Sequence, residues 1–336
     1  MVEPRVRKVP RLRVTRPQSD AHRTEGNDMP RTITVAAAQS GPVNRRTSRA
    51  EVVERLITEM RQARSAGCDL IVYTECALTA FFAHWSIDDE RELDRWFERE
   101  MPGPDTQPLF EEAARLGIGF SLGYAELATV GGRTRRFNTS ILVGPDGRIV
   151  GKHRKIHLPG HAEHRPHNPF QNLEKRYFDV GDLGFQTWDA FGGTLGMSIC
   201  NDRRWPESYR VLGLLGAEMI LIGYNTPDNI PEYPELDRLV GFHHELCMQA
   251  GANQNAAWVV AVGKAGVEEG VSQIGLTSII APSGEIVAQS TTLGDELVIH
   301  TCDLDESTRY RGFLNLEQNR RPEFYGLITQ QVGQRD

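Results

Sequence analysis

Apolar residues along this chain fall into short continuous runs that alternate with stretches of helical period. Residues 33–39 form one such run, closed by Gly41-Pro42, and read as a buried strand. Ser48 then opens a helix. Glu51 completes a capping box with it, Val52, Val53, Leu56, Ile57 and Met60 recur on one face, and Gly67 ends the element. Residues 70–74 predict a second buried strand that delivers Glu75. Residues 108–116 predict an amphipathic helix stopped by Gly117, and residues 118–124 a third strand.

Two later stretches echo each other. Ser140-Ile-Leu-Val-Gly-Pro-Asp-Gly-Arg-Ile-Val and Ser278-Ile-Ile-Ala-Pro-Ser-Gly-Glu-Ile-Val each read as strand, turn, strand, with Pro presetting φ and Gly freeing the corner. The match suggests two related halves of one domain, although hairpins also resemble one another by chance. Between them, residues 194–199 predict a strand ending at Cys200. Residues 205–215 predict a helix with Pro206 in its first turn, where a missing N–H costs nothing. Residues 219–224 and 258–262 read as further buried strands. Alternating strands and helices predict an α/β sandwich with helices covering sheets.

Composition narrows the function. The 336 residues carry a formal charge of -7, which argues against a general nucleic-acid partner. No apolar run is long enough for a membrane span. The five cysteines are scattered and form no C-x-x-C pair, so a disulfide framework or zinc ribbon is not expected, and free thiols fit a cytoplasmic protein. Residues 1–30 are rich in Arg, Pro and polar side chains and read as a disordered extension. Met29 offers an alternative start, and four acidic residues speak against a presequence. Residues 31–336 then form a single domain with a C-terminal tail.

Three residues stand where chemistry can be done. Cys200 ends a buried strand, and Asn201-Asp202-Arg203-Arg204 turns into a helix, so backbone N–H groups can face a developing oxyanion while the arginines favour a thiolate. A buried structural cysteine is the alternative. Glu75 ends an apolar strand and suits a general base or acid; a surface strand terminus is its plainer reading. Lys155 lies in the run Lys152-His153-Arg154-Lys155-Ile156-His157. Such a run is ordinarily a solvated face, yet this one leads into a long Gly/Pro/His-rich loop reaching about Gln171, and such loops often serve function. His153, His157 and His161 are spaced by four, but Pro159-Gly160 breaks any helix there. His243 and Cys247 share a helical face, and two ligands do not make a zinc site. No metal is expected. No Gly-rich phosphate loop follows a strand, so no nucleotide cofactor is expected either.

The order of these residues and their surroundings resembles the nitrilase superfamily. Tyr-Thr-Glu75-Cys-Ala-Leu-Thr, Arg-Lys155-Ile-His-Leu-Pro-Gly and Ile-Cys200-Asn-Asp-Arg-Arg-Trp-Pro-Glu look like its three motifs, and the likeness runs from about Ile33 to Ile328. Within it, Phe137-Asn-Thr-Ser-Ile-Leu-Val, Glu174-Lys-Arg-Tyr-Phe, Gly181-Asp-Leu-Gly-Phe, Gly223-Tyr-Asn225-Thr-Pro and Phe242-His-His resemble the N-carbamoyl-D-amino-acid hydrolases (D-carbamoylases). The resemblance implies a nitrilase-like αββα sandwich, two sheets flanked by helices, with four layers arising when two subunits pair, and a homodimer or homotetramer. It implies a Glu75–Lys155–Cys200 triad, Glu174 as a second active-site carboxylate, and Arg203 and Arg204 on the substrate carboxylate. Asn201, Asn225, His157 and Asn172 complete the expected binding set. Asn172 stands where that family commonly has His, and Asn cannot titrate. The expected reaction takes a small N-carbamoyl-D-amino acid to the D-amino acid, carbon dioxide and ammonia, without metal or organic cofactor. Another superfamily amidase, a β-ureidopropionase, or a catalytically idle binding subunit are the alternatives.

Overall fold

The computed structural model describes residues 30–330; the N-terminal extension expected over residues 1–30 lies almost wholly outside them. The strands in chain order are β1 (Thr32–Gln39), β2 (Leu70–Val72), β3 (Gly119–Val130), β4 (Arg133–Val143) and β5 (Ile149–Arg154), then β6 (Thr187–Ala190), β7 (Gly193–Ile199), β8 (Met219–Tyr224) and β9 (Trp258–Gly263). A small hairpin, β10 (Ala265–Glu268) with β11 (Val271–Ile274), precedes β12 (Ser278–Ile280), β13 (Ile286–Gln289) and β14 (Glu296–Asp303). The described residues form two six-stranded sheets, ordered β14-β1-β2-β3-β4-β5 and β13-β12-β9-β8-β7-β6.

The two sheets repeat one topology. In the first, β1, β2 and β3 run parallel, then β4 and β5 return antiparallel, and β14 flanks β1 antiparallel. In the second, β7, β8 and β9 run parallel, β12 and β13 return antiparallel, and β6 flanks β7 antiparallel. The two matching hairpins read from the sequence therefore occupy equivalent edges. Helices Arg49–Ser65 and Gln107–Leu116 make the crossovers of the first half, and Pro206–Leu214 and Val240–Asn255 those of the second.

Side chains alternate faces along a strand, so each sheet buries two surfaces. Ile33, Val35 and Ala37 of β1 meet Met219 and Leu221 of β8 and Val260 and Val262 of β9 between the sheets. Ala36 and Ala38 face the helix residues Leu56, Ile57 and Met60, while Ile220, Ile222 and Val259 face Tyr209, Leu212 and Met248. All four αββα layers are thus complete in one chain, which corrects the expectation that they arise on pairing. The Ser48–Glu51 capping box forms as read, and Gly117 ends its helix at φ +64°. The strand before Glu75 is shorter than read, ending at Val72, and the β10–β11 hairpin was not foreseen. No helix of the described residues is long and apolar enough to cross a membrane.

Candidate active site

The shared topology brings the carboxyl ends of parallel strands from both sheets together. Glu75 follows β2, Asn225 follows β8 at the equivalent place in the other half, and Cys200 follows β7. Lys155 follows the edge strand β5 and is held there by its N–H donating to the Asn138 carbonyl at 2.8 Å. The backbones pass so closely that a Cβ at Gly223 would lie 2.6 Å from the Glu75 nitrogen, and one at Gly123 would lie 2.7 Å from the Glu75 Cα. Only glycine fits at either place.

Glu75 is fully buried, and both carboxylate oxygens are engaged. Oε1 accepts from Lys155 Nζ at 2.7 Å and from Asn138 Nδ2 at 2.7 Å, and Oε2 accepts from the Asn225 backbone N–H at 2.8 Å. Lys155 Nζ also donates to Glu174 Oε2 at 2.6 Å. Burial raises the Glu174 carboxyl to about 7 against the pull of Lys155. Cys200 sits at φ +46°, a left-handed conformation that non-glycine residues seldom hold without a functional reason. Its Sγ donates to the Asn225 carbonyl at 3.4 Å. Burial, reinforced by Glu75, pushes the thiol up to about 11, so the resting side chain is a thiol and would have to lose its proton to act as a nucleophile.

Glu75, Glu174 and Cys200 place ligand atoms within 4.8 Å of one another, a spacing that would suit a cation. That place is already filled: the Lys155 ammonium sits between the two carboxylates and pairs with both. The donor set therefore fits an ammonium and not a metal ion.

The basic run is not a solvated face. His153, Arg154 and Lys155 are buried, each with its own acid. Arg154 pairs with Glu126 and Asp182, and His153 Nε2 lies 3.0 Å from Asp202 Oδ2. Asp202 accepts from the Ile199 and His157 N–H groups at 3.1 and 2.9 Å, and its other side-chain partner is His157 Nδ1 at 2.8 Å. Burial opposes its ionisation, yet the two histidines hold the Asp202 carboxyl well below the usual range. Asp202 thus pins the Lys155 loop to the Cys200 turn, a role the sequence reading did not assign. No local signal marked it, because His153 and His157 lie 49 and 45 residues away along the chain.

A cavity of about 220 Å³ opens over Cys200 and is also lined by Glu174, Asn172, Asn201, Arg204 and Asn225. The two arginines differ. Arg203 touches the cavity but is buried and spent on the protein: Nη1 donates to the Cys200 carbonyl at 2.7 Å, Nη2 to Thr226 Oγ1 at 2.8 Å, and Nε to His244 Nδ1 at 3.2 Å. It also covers the Tyr224 ring at 4.7 Å. Arg204 makes no ion pair with any described residue. Desolvation by the protein packed around its head group and the adjacent Arg203 charge lower its pKa although the side chain as a whole is exposed, so an incoming anion relieves it. His157 stacks on Trp205 beneath the Cys200 turn and does not line the cavity. Asn201 lines it while its side chain holds the His157 carbonyl at 3.1 Å, and Asn172 lines it with Oδ1 buried and unpartnered. Asn138 and Thr226 are the support residues to which the sequence reading gave no role.

The carbon-nitrogen hydrolase family model matches residues 34–312. The chain is 27% identical over 310 residues to the N-carbamoylputrescine amidase of Solanum lycopersicum, across 89% of this chain and 95% of that protein. It is 30% identical over 199 residues to the citrullinase of Francisella tularensis subsp. tularensis, across 57% of this chain and 65% of that protein. Its fold matches the crystal structure of a carbon-nitrogen hydrolase from Helicobacter pylori G27 with a TM-score of 0.77 at 22% identity, covering 89% of this chain and 99% of that one. Neither sequence relative is named for a D-amino-acid derivative, so the likeness establishes hydrolysis at amide or carbamoyl groups and not the narrower substrate. This chain belongs to the carbon-nitrogen hydrolase family of the nitrilase superfamily.

Proposed function

We propose that the chain hydrolyses N-carbamoyl-D-amino acids, and one observation carries this choice: Arg204, a guanidinium without an ion pair among the described residues, lines the cavity over the nucleophile. Of the other charged groups there, Glu232 is paired with Arg165, Glu174 shares Lys155 with Glu75, and Arg203 has no carboxylate partner among the described residues, so the two guanidiniums leave a positive balance. The cavity therefore favours an anion. A guanidinium grips a carboxylate through paired hydrogen bonds. A substrate ending in an amine, as N-carbamoylputrescine does, would meet Arg204 as a like charge.

Cys200 attacks the ureido carbon while its proton passes to Glu75. The tetrahedral oxyanion is stabilised by Lys155 Nζ and the Asn201 backbone N–H. Glu75 returns the proton to the amino-acid nitrogen as the C–N bond breaks, leaving a carbamoyl thioester. Water, positioned by Glu174 and deprotonated by Glu75, adds to the thioester. The Cys200 thiol reforms, and carbamic acid falls apart to carbon dioxide and ammonia.

Ammonia release from N-carbamoyl amino acids of both hands tests the reading. Arg204 is exposed in the free protein, so Arg204→Ala should cost about 1.5–3 kcal/mol in kcat/KM on these substrates, the range for hydrogen bonds to a charged group. It should cost far less on a ureido substrate without a carboxylate. Equal losses on both would remove the anchor, and faster turnover of the L series would remove the D assignment.

The proposal includes self-association. Leu214, Phe242 and Leu246 are exposed on the two helices that cover the second sheet, an apolar face that a second copy would shield. Sedimentation at micromolar concentration should show a dimer or tetramer; a monomer would remove this part.

A further inference from the structure

One wall of the cavity takes no part in the chemistry above. Phe81 and His84 come from the turn that follows Glu75, and Phe170 comes from the long loop after β5; all three line the cavity. The Phe81 and Phe170 rings meet the His84 ring edge-on, with centroids 4.9 and 5.3 Å away. His84 is only 3% exposed and its ring forms no hydrogen bond with any described residue, but its ring nitrogens are not among the fully buried unpartnered atoms, so the little the ring exposes opens on the cavity. A polar ring edge that opens only on the cavity is met by water there, or by a ligand group that takes the water's place and reproduces its hydrogen bond.

The wall is fixed from behind. The Gln171 and Leu173 N–H groups each donate at 2.9 Å, to the His84 and Ala83 carbonyls. The Phe81 N–H donates to Glu268 Oε1 at 2.6 Å. Lys264 Nζ donates to Glu268 Oε2 at 2.7 Å and to the Thr79 carbonyl at 2.6 Å. Burial, aided by the Lys264 charge, pushes the His84 imidazole down to about 3, so the ring stays neutral with one donor and one acceptor.

We propose that Phe81, His84 and Phe170 receive the substrate's side chain and that His84 selects for it, hydrogen-bonding an uncharged polar group such as a carboxamide. The inference rests on the N-carbamoyl amino acid reading and names the side-chain class within it. A carboxamide offers both a donor and an acceptor, so it suits a neutral imidazole in either tautomer. A cationic side chain is disfavoured by Lys264 behind the ring and Arg204 in the same cavity.

N-carbamoyl-asparagine and N-carbamoyl-leucine are near in shape and differ in this one property, so their kcat/KM ratio reports the contact. Both are assayed by ammonia release in the hand the enzyme prefers. His84→Phe keeps the ring and its edge contacts and should lower the asparagine-to-leucine ratio about tenfold. His84→Gln restores a donor and an acceptor and should recover most of it. An unchanged ratio in His84→Phe, or equal falls on both substrates in both variants, overturns the role of His84 alone. Failure of the wild type to turn over either substrate removes this inference together with the proposed function.

Discussion

Cys200→Ala should abolish turnover, by at least about 10³-fold, while leaving the fold in place. The thiol lies within 4.8 Å of a carboxylate oxygen of Glu75 and of Glu174 and lines the cavity, which Cys76 does not. What the fold loses is small: one Sγ–H donation to the Asn225 carbonyl, worth about 1 kcal/mol, in a side chain that alanine nearly matches in size. For a domain of this length that should shift the thermal midpoint by only about 1–2 °C. Mass spectrometry of the wild type after a slow substrate or an alkylating reagent should place the adduct on Cys200. Because the thiol is pushed up to about 11 by burial and by Glu75, alkylation of the resting enzyme should accelerate steadily as pH rises above 8. Comparable turnover in the alanine variant would end the thiol mechanism.

Lys155→Ala is expected to damage both activity and stability. It removes the ammonium shared by two buried carboxylates at 2.7 and 2.6 Å. Truncating one partner of a buried ionic cluster typically costs about 3–5 kcal/mol, because the remaining charges are stranded. The loss should depend on pH with a definite sign. Glu174 is already raised, to about 7, by burial. A raised carboxyl means that the folded state holds its proton more tightly than the unfolded chain does. Its contribution is therefore present below the ordinary carboxylate range and is lost as pH rises through the folded value. Without Lys155 that value rises further, so the variant should be destabilised more at pH 8 than at pH 5. Glu174→Gln in the same background should recover part of the loss at pH 8. Urea titrations at the two pH values measure it; a loss independent of pH would mean that the cluster is not held as described. Turnover of Lys155→Ala within about tenfold of wild type would remove Lys155 from the oxyanion site.

Much of the scaffold could be read from local signals. The Ser48–Glu51 box and Gly117 act within a few residues of themselves, and both helix ends lie where read. The Pro-Asp-Gly and Pro-Ser-Gly corners marked two hairpins, and the strand order shows their equivalence. What escaped was set by partners remote in sequence. Lys152 to Lys155 carried the charge pattern of a wetted surface, yet Arg154, His153 and Lys155 find acids 28, 49 and 80 residues away. The β10–β11 hairpin turns through Glu269 and Gly270, both at positive φ, without the Asn-Gly or Asp-Gly pair that usually announces such a turn. The two arginines could not be told apart, because their separate fates depend on Thr226 and His244, which fold back against Arg203 alone. His84 drew no notice, since a histidine two residues after a pair of phenylalanines is more often core than contact.

The proposed reacting groups also serve as a clasp between the two sheets. The Thr74 hydroxyl donates to the Tyr224 carbonyl at 2.8 Å, and the Asn225 N–H donates to Glu75 at 2.8 Å, each bond joining the first sheet's half to the second's. Neither half holds a working centre of its own, so the halves cannot part while the centre survives. Enzymes whose sites rest on mobile loops usually lose activity at denaturant concentrations well below those that melt the body. Here the two losses should coincide, which would make residual activity a direct gauge of the folded fraction during unfolding.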